Sequence, residues 1–136
     1  MGKIYKPGKV CIVLQGRHAG KKVVVVKPLD NGDQHRKYPY ALIAGVERYP
    51  LKITKRMNEK KVKRRSKVKP FIKIVNYSHL FPTRYTYELQ GLKDGLDVNA
   101  FKEPETREKA KKHIKEQFEE RYNSGKNKWF FQPLRF

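Results

Sequence analysis

Acidic side chains are scarce in this sequence. Only 13 Asp and Glu stand against 33 Lys and Arg in 136 residues, for a formal net charge of +20. Solubility asks a small domain for a net charge of roughly 2–8, so an excess this large predicts an anionic partner. Cysteine is limited to Cys11, which excludes an intramolecular disulfide and a multi-cysteine zinc site and fits a reducing compartment. Its expected place is a small core position. No apolar run approaches the roughly 18 residues of a membrane helix, and the first residues lack the roughly 7–15-residue apolar stretch of a secretory signal, so a soluble intracellular protein is expected. Met1-Gly2-Lys3 begins like a myristoylation signal, but Lys6 stands where that pattern takes Ser or Thr, and no lipid is expected.

Groups able to do chemistry are also sparse. His18, His35, His79 and His113 are dispersed, without metal-ligand spacing to Cys11 or a carboxylate. Glu103, Glu105, Glu108, Glu116, Glu119 and Glu120 sit on or beside a predicted helix, where solvated pairing accounts for them. The run Gly16 to Lys22 has glycines around a basic loop, but it is one residue short between its glycines and lacks the Ser or Thr that would hold magnesium. The expectation is a protein without enzymatic activity, cofactor, metal or small-molecule substrate.

The abundant feature is positive charge, and it is concentrated. Lys52, Lys55, Arg56, Lys60, Lys61, Lys63, Arg64, Arg65, Lys67 and Lys69 face a single acid, Glu59. Neighbouring charges in this tract lie closer than the roughly 8 Å screening length of physiological salt. Ordering each residue costs roughly 1–2 kcal/mol of backbone entropy. The tract therefore reads as a long loop projecting from one end of the fold, with room for a helical turn, that is mobile alone and becomes ordered when a polyanion neutralises it. Nucleic-acid phosphates fit that part, giving salt-sensitive binding with little sequence information. Lys60 to Arg65 also resembles a nuclear-import patch.

Foldable sequence flanks the tract. Lys9–Leu14 and Lys22–Lys27 are short β-branched runs that predict a hairpin, with Gly16 and Gly20 shaping its connection and Arg17, His18, Lys21 and Lys22 as its exposed members. Asn31-Gly32 marks a turn, 40–46 a third strand, 71–77 a fourth and 84–89 a fifth. The chain is thus expected to be mainly β with α: a small antiparallel β-barrel over about 1–90, then a connecting segment, a helix over about 104–122 and an extended basic and aromatic tail within 91–136. Ala110, Ile114, Phe118 and Tyr122 fall four apart on the helix, and Gly125 is placed to cap it. In the tail Trp129, Phe130, Phe131 and Phe136 either dock on the barrel or stack on unpaired bases, with Lys126, Lys128 and Arg135 near phosphates. Both outcomes are open for different rings.

Two sets of residues carry a resemblance. Pro7–Val10 through Gly16–Val26 resembles a KOW motif, the glycine-centred hairpin of many ribosomal and transcription-elongation proteins. Beyond it, Ala44–Pro50, Asn76–Tyr85 and Phe118–Phe131 resemble the eukaryotic large-subunit ribosomal protein L-twenty-seven family, across essentially the whole chain; residues 88–97 fit that pattern least. The resemblance implies an SH3-like barrel carrying the KOW hairpin, with helix and tail lying on the large (60S) subunit. It implies ribosomal RNA and neighbouring large-subunit proteins as partners and no enzymatic activity. It also implies a cytoplasmic ribosomal location reached through the nucleus and nucleolus. The expected RNA-binding residues are Arg17, Lys21, Lys22, the ten bases of the tract, Arg84, Lys126, Lys128, Trp129 and Arg135. A KOW-type module of transcription elongation is the alternative, without a second KOW copy to support it, and an RNA-acting enzyme comes third.

Overall fold

A computed structural model describes residues 5–30, 37–88 and 104–133. β1 (Lys9–Val13) and β2 (Lys22–Leu29) form the predicted hairpin, pairing Val10 with Val24 and Cys11 with Val23. β3 (Tyr40–Arg48), β4 (Lys69–Asn76) and β5 (Leu80–Thr86) complete a five-stranded antiparallel sheet in the order β4-β3-β2-β1-β5. The two edge strands are consecutive in the chain, separated only by a 3-10 turn at Tyr77–His79. Joining opposite edges by so short a link requires the sheet to curl back on itself, as a small barrel does.

This curl gives the sheet two buried faces. Cys11, Val13, Val23, Val25, Ala41, Ile43, Phe71, Val75 and Leu80 fill the inside. Val10, Val24, Val26, Leu42, Ala44 and Val46 point the other way, into a second cluster with α2 (Pro104–Asn123) and the tail. Successive strand residues face opposite sides, so the unbroken run Val23–Val26 is what a strand covered on both faces requires. Cys11 is fully buried and unpaired, and burial pushes its thiol pKa up to about 12.

Two strand boundaries differ from expectation. β4 starts at Lys69, inside the basic tract, and β5 starts at Leu80 and ends at Thr86, so Phe81-Pro82-Thr83, outside the expected strands, belongs to the ladder. Pro82 has no N–H to donate. The register shifts beside it, and there the Thr83 hydroxyl donates to the Val10 carbonyl at 2.6 Å, occupying an acceptor within the irregular stretch.

α2 begins at Pro104 and buries Ala110, Ile114 and Phe118. It ends in a paired-carbonyl motif: the Lys126 N–H reaches the Arg121 carbonyl at 3.2 Å and the Gly125 N–H the Tyr122 carbonyl at 3.1 Å, with Gly125 at φ +80°. The chain then winds through a second turn, Asn127–Gln132, that carries Phe130 and Phe131 onto Phe118, with centroids 5.4 and 5.8 Å away and rings edge-on. Such pairs add about 0.5–1.5 kcal/mol each beyond the area they bury. Arg121 pins the assembly by donating to the Glu88 carbonyl (3.0 Å) and to Asn127 Oδ1 (3.3 Å), with its guanidinium 4.9 Å from the Tyr87 ring.

Candidate nucleic-acid interface

The basic tract is more structured than a projecting loop. Asn58 caps a seven-residue helix, α1 (Glu59–Arg65), by accepting from the Lys61 N–H at 2.9 Å, and Lys63, Arg64 and Arg65 occupy the last turn, where cations suit the helix dipole. The arms are tied together at the base: the Leu51 N–H donates to the Arg65 carbonyl (2.8 Å) and Arg65 Nη1 to the Lys52 carbonyl (2.7 Å). Val68, buried in the outer cluster, anchors the far end, and its N–H meets Glu119 of α2 at 3.3 Å. Lys52, Lys55, Arg56, Lys60, Lys61, Lys63, Arg64, Lys67 and Lys69 are all exposed, whereas Arg65 is half-buried in its bracing role.

Three grooves follow one another along the seam between this segment and α2. The first, about 1140 Å³, brings Lys52 of the tract beside Lys126 and Lys128 of the tail. The second shares Val62, Ser66 and Asn123 with the first and adds Lys63 and Lys67. The third sets Lys69 against Lys109, Lys111, Lys112 and Lys115 of α2. Cations far apart in sequence thus form one strip, interrupted by Glu59, Glu108 and Glu119; Glu119 is engaged by the Val68 N–H and Glu108 lies 3.9 Å from Lys111. The α2 lysines are absent from the sequence-based set. Their spacing was equally explained by pairing with helix glutamates, and only the packing of α2 beside β4 shows that they meet Lys69.

The hairpin tip departs from expectation. Arg17 is exposed and Lys21 half-buried, its ammonium 5.4 Å from the Tyr49 ring centroid. His18 turns inward and stacks on Phe71 at 3.8 Å, and burial lowers its pKa, so it is neutral near pH 7. Lys22 is 1% exposed. Its ammonium donates to the carbonyls of Trp129 and Gln132, both at 2.5 Å, and lies 3.8 Å from the Trp129 ring centroid. The expectation that His18 and Lys22 are exposed is therefore corrected: burial and internal partners hold both inside.

Trp129 is occupied as well. Tyr85 stacks on it at 4.3 Å, and the Lys22 ammonium lies against the same indole. Of the two outcomes open for the tail, Trp129, Phe130 and Phe131 take docking. Arg84 is exposed beside Tyr85, its guanidinium 5.3 Å from that ring. Arg135 and Phe136 lie outside the described residues.

Among the described residues no three His, Cys, Asp or Glu gather as metal ligands, and no helix is long and apolar enough to cross a membrane. What the strip offers is a line of mobile ammonium and guanidinium groups on a rigid seam, suited to phosphates at roughly constant spacing.

The profile of the ribosomal L27e protein family matches residues 10–136. The large ribosomal subunit protein eL27 of Candida albicans is 55% identical over 136 residues, covering all of both chains. With the same full coverage, eL27A of Schizosaccharomyces pombe is 56% identical and eL27 of Caenorhabditis elegans 54%. Barrel, helix and tail all fall within these alignments, and the chain belongs to the ribosomal L27e protein family.

Proposed function

We propose that this protein is a structural constituent of the large ribosomal subunit that binds and braces ribosomal RNA and so supports translation by position, without catalysis. The observation that carries this reading is the cationic seam, in which tract, α2 and tail converge on one strip. The relatives named as large-subunit proteins along the full chain support it. In the proposed interface Arg17, Lys21, the exposed bases of the tract, the α2 lysines, Arg84, Lys126, Lys128 and Arg135 meet phosphates. Lys22 and Trp129 instead build the surface from beneath. Neighbouring large-subunit proteins complete the environment of a protein that works in the cytoplasm after assembly in the nucleus and nucleolus.

The test is to fractionate cell extract on a sucrose gradient after a high-salt wash and follow the protein by mass spectrometry. It should sediment with the large subunit. Recovery only with RNA polymerase, or only as free protein, would refute the assignment.

A further inference from the structure

The first groove is lined by more apolar side chains than the other two. Leu51 is 59% exposed there, amid Ile53, Val62 and Phe131, under a rim formed by Lys52, Lys126 and Lys128. A double helix laid across the rim would satisfy the lysines and leave Leu51 in water. An unpaired nucleotide satisfies both parts, because its flat base is apolar on its faces and is tethered to phosphates on either side.

We propose that this groove receives one unpaired nucleotide of the bound RNA, its base covering Leu51 and its flanking phosphates held by Lys52, Lys126 and Lys128. The proposal rests on the RNA-binding reading and narrows it. The rest of the seam holds phosphates of any RNA, and this end distinguishes bulged or single-stranded RNA from an uninterrupted duplex. Trp129 is already engaged by Tyr85 and Lys22, and the proposed site for the base is Leu51. The contribution of Trp129 is indirect, through the turn that places Lys128 on the rim and Phe131 in the lining.

The experiment compares two RNA hairpins of equal length bound to the full chain, one fully paired and one carrying a single unpaired 2-aminopurine. The bulged hairpin should bind about tenfold tighter, the scale of covering one half-exposed leucine, with a change in 2-aminopurine emission. The conservative surface change Leu51→Gln should erase that preference and leave affinity for the paired hairpin unaltered. Equal affinity of the wild-type protein for both hairpins overturns the base site while leaving general RNA binding intact. A preference that survives Leu51→Gln places the base elsewhere, leaves the groove to a protein segment, and overturns it too. Failure to bind either hairpin removes the underlying RNA reading along with the proposal.

Discussion

Gly45 and Phe71 face each other across β3 and β4, and there is no room between them for a methyl group. A β-carbon on Gly45 would stand 2.8 Å from Cε1 and Cζ of Phe71 and 2.5 Å from Cγ1 of Val23. Phe71 is fixed from its other side by the His18 ring, so it cannot retreat without opening the hairpin connection.

Gly45→Ala is accordingly expected to destabilise the protein by about 1–3 kcal/mol, the range for overpacking a filled core. Gly125→Ala also destabilises, by a different route: nothing lies within 4 Å, but φ is +80°, a conformation that strains L side chains. Gly125→Asn should recover part of that loss, because Asn tolerates the left-handed region, whereas Gly45→Asn should be worse than Gly45→Ala. Urea denaturation of the variants would check the ordering, and equal losses for the two Asn variants would contradict it.

Stability should rise with pH above neutrality through Lys22. Burial lowers its pKa to about 8 from 10.5, so between those values the folded chain has shed a proton that the unfolded chain keeps. Unfolding then takes up a proton, and the folded state gains stability as pH rises through the window. Between about pH 8 and 9 denaturation curves should rise more steeply in the wild type than in Lys22→Met, whatever the variant's absolute stability. Above that the buried Cys11 thiol, with its folded pKa of about 12, opposes the trend in both proteins as its unfolded counterpart ionises. The upper limit matters because Tyr49, whose hydroxyl accepts from the Lys22 N–H, has a pKa raised by burial from 10.0, and it opposes the trend once unfolded tyrosine ionises. Matching slopes in the two proteins would mean that the Trp129 and Gln132 carbonyls and the indole hold the ammonium as favourably as water does in the unfolded chain.

Changing Lys60, Lys61, Lys63 and Arg64 together to Gln should weaken binding to large-subunit ribosomal RNA and flatten its dependence on salt. Each phosphate left without its cation takes roughly 0.7–0.9 off the log–log slope. Arg65 is kept out of the set because it holds the Lys52 carbonyl, and its removal would mix folding with binding. Filter binding across salt concentrations measures the slope. An unchanged value would show that α1 never meets phosphate.

Where local chemistry was sufficient, the fold was legible in the sequence. The β1–β2 hairpin follows from β-branched runs around Gly16 and Gly20, and α2 from its four-residue apolar spacing and Gly125 cap. Pro82 lies in β5, where a register shift and the Thr83 hydroxyl take over part of the ladder, an accommodation that nothing in the local sequence announces. The candidate site was legible as charge but not as geometry. Arg17 and the exposed bases of the tract are where their composition put them. Lys22 is not, since its partners are carbonyls 107 and 110 residues away and nothing beside it in the chain announces them. The α2 lysines were hidden for the opposite reason: nearby glutamates explained them too well.

The winding of the tail back to β2 also sets an order of events during synthesis. Val10, Val24, Val26, Leu42 and Ala44 are made early, but the side chains that cover them, Phe118, Phe130 and Phe131, come much later in the chain. Until then the nascent barrel carries an uncovered apolar face on a strongly cationic chain, the kind of intermediate that associates with the wrong neighbours. The outer core of this protein therefore closes only after α2 and the turn that follows it have been made.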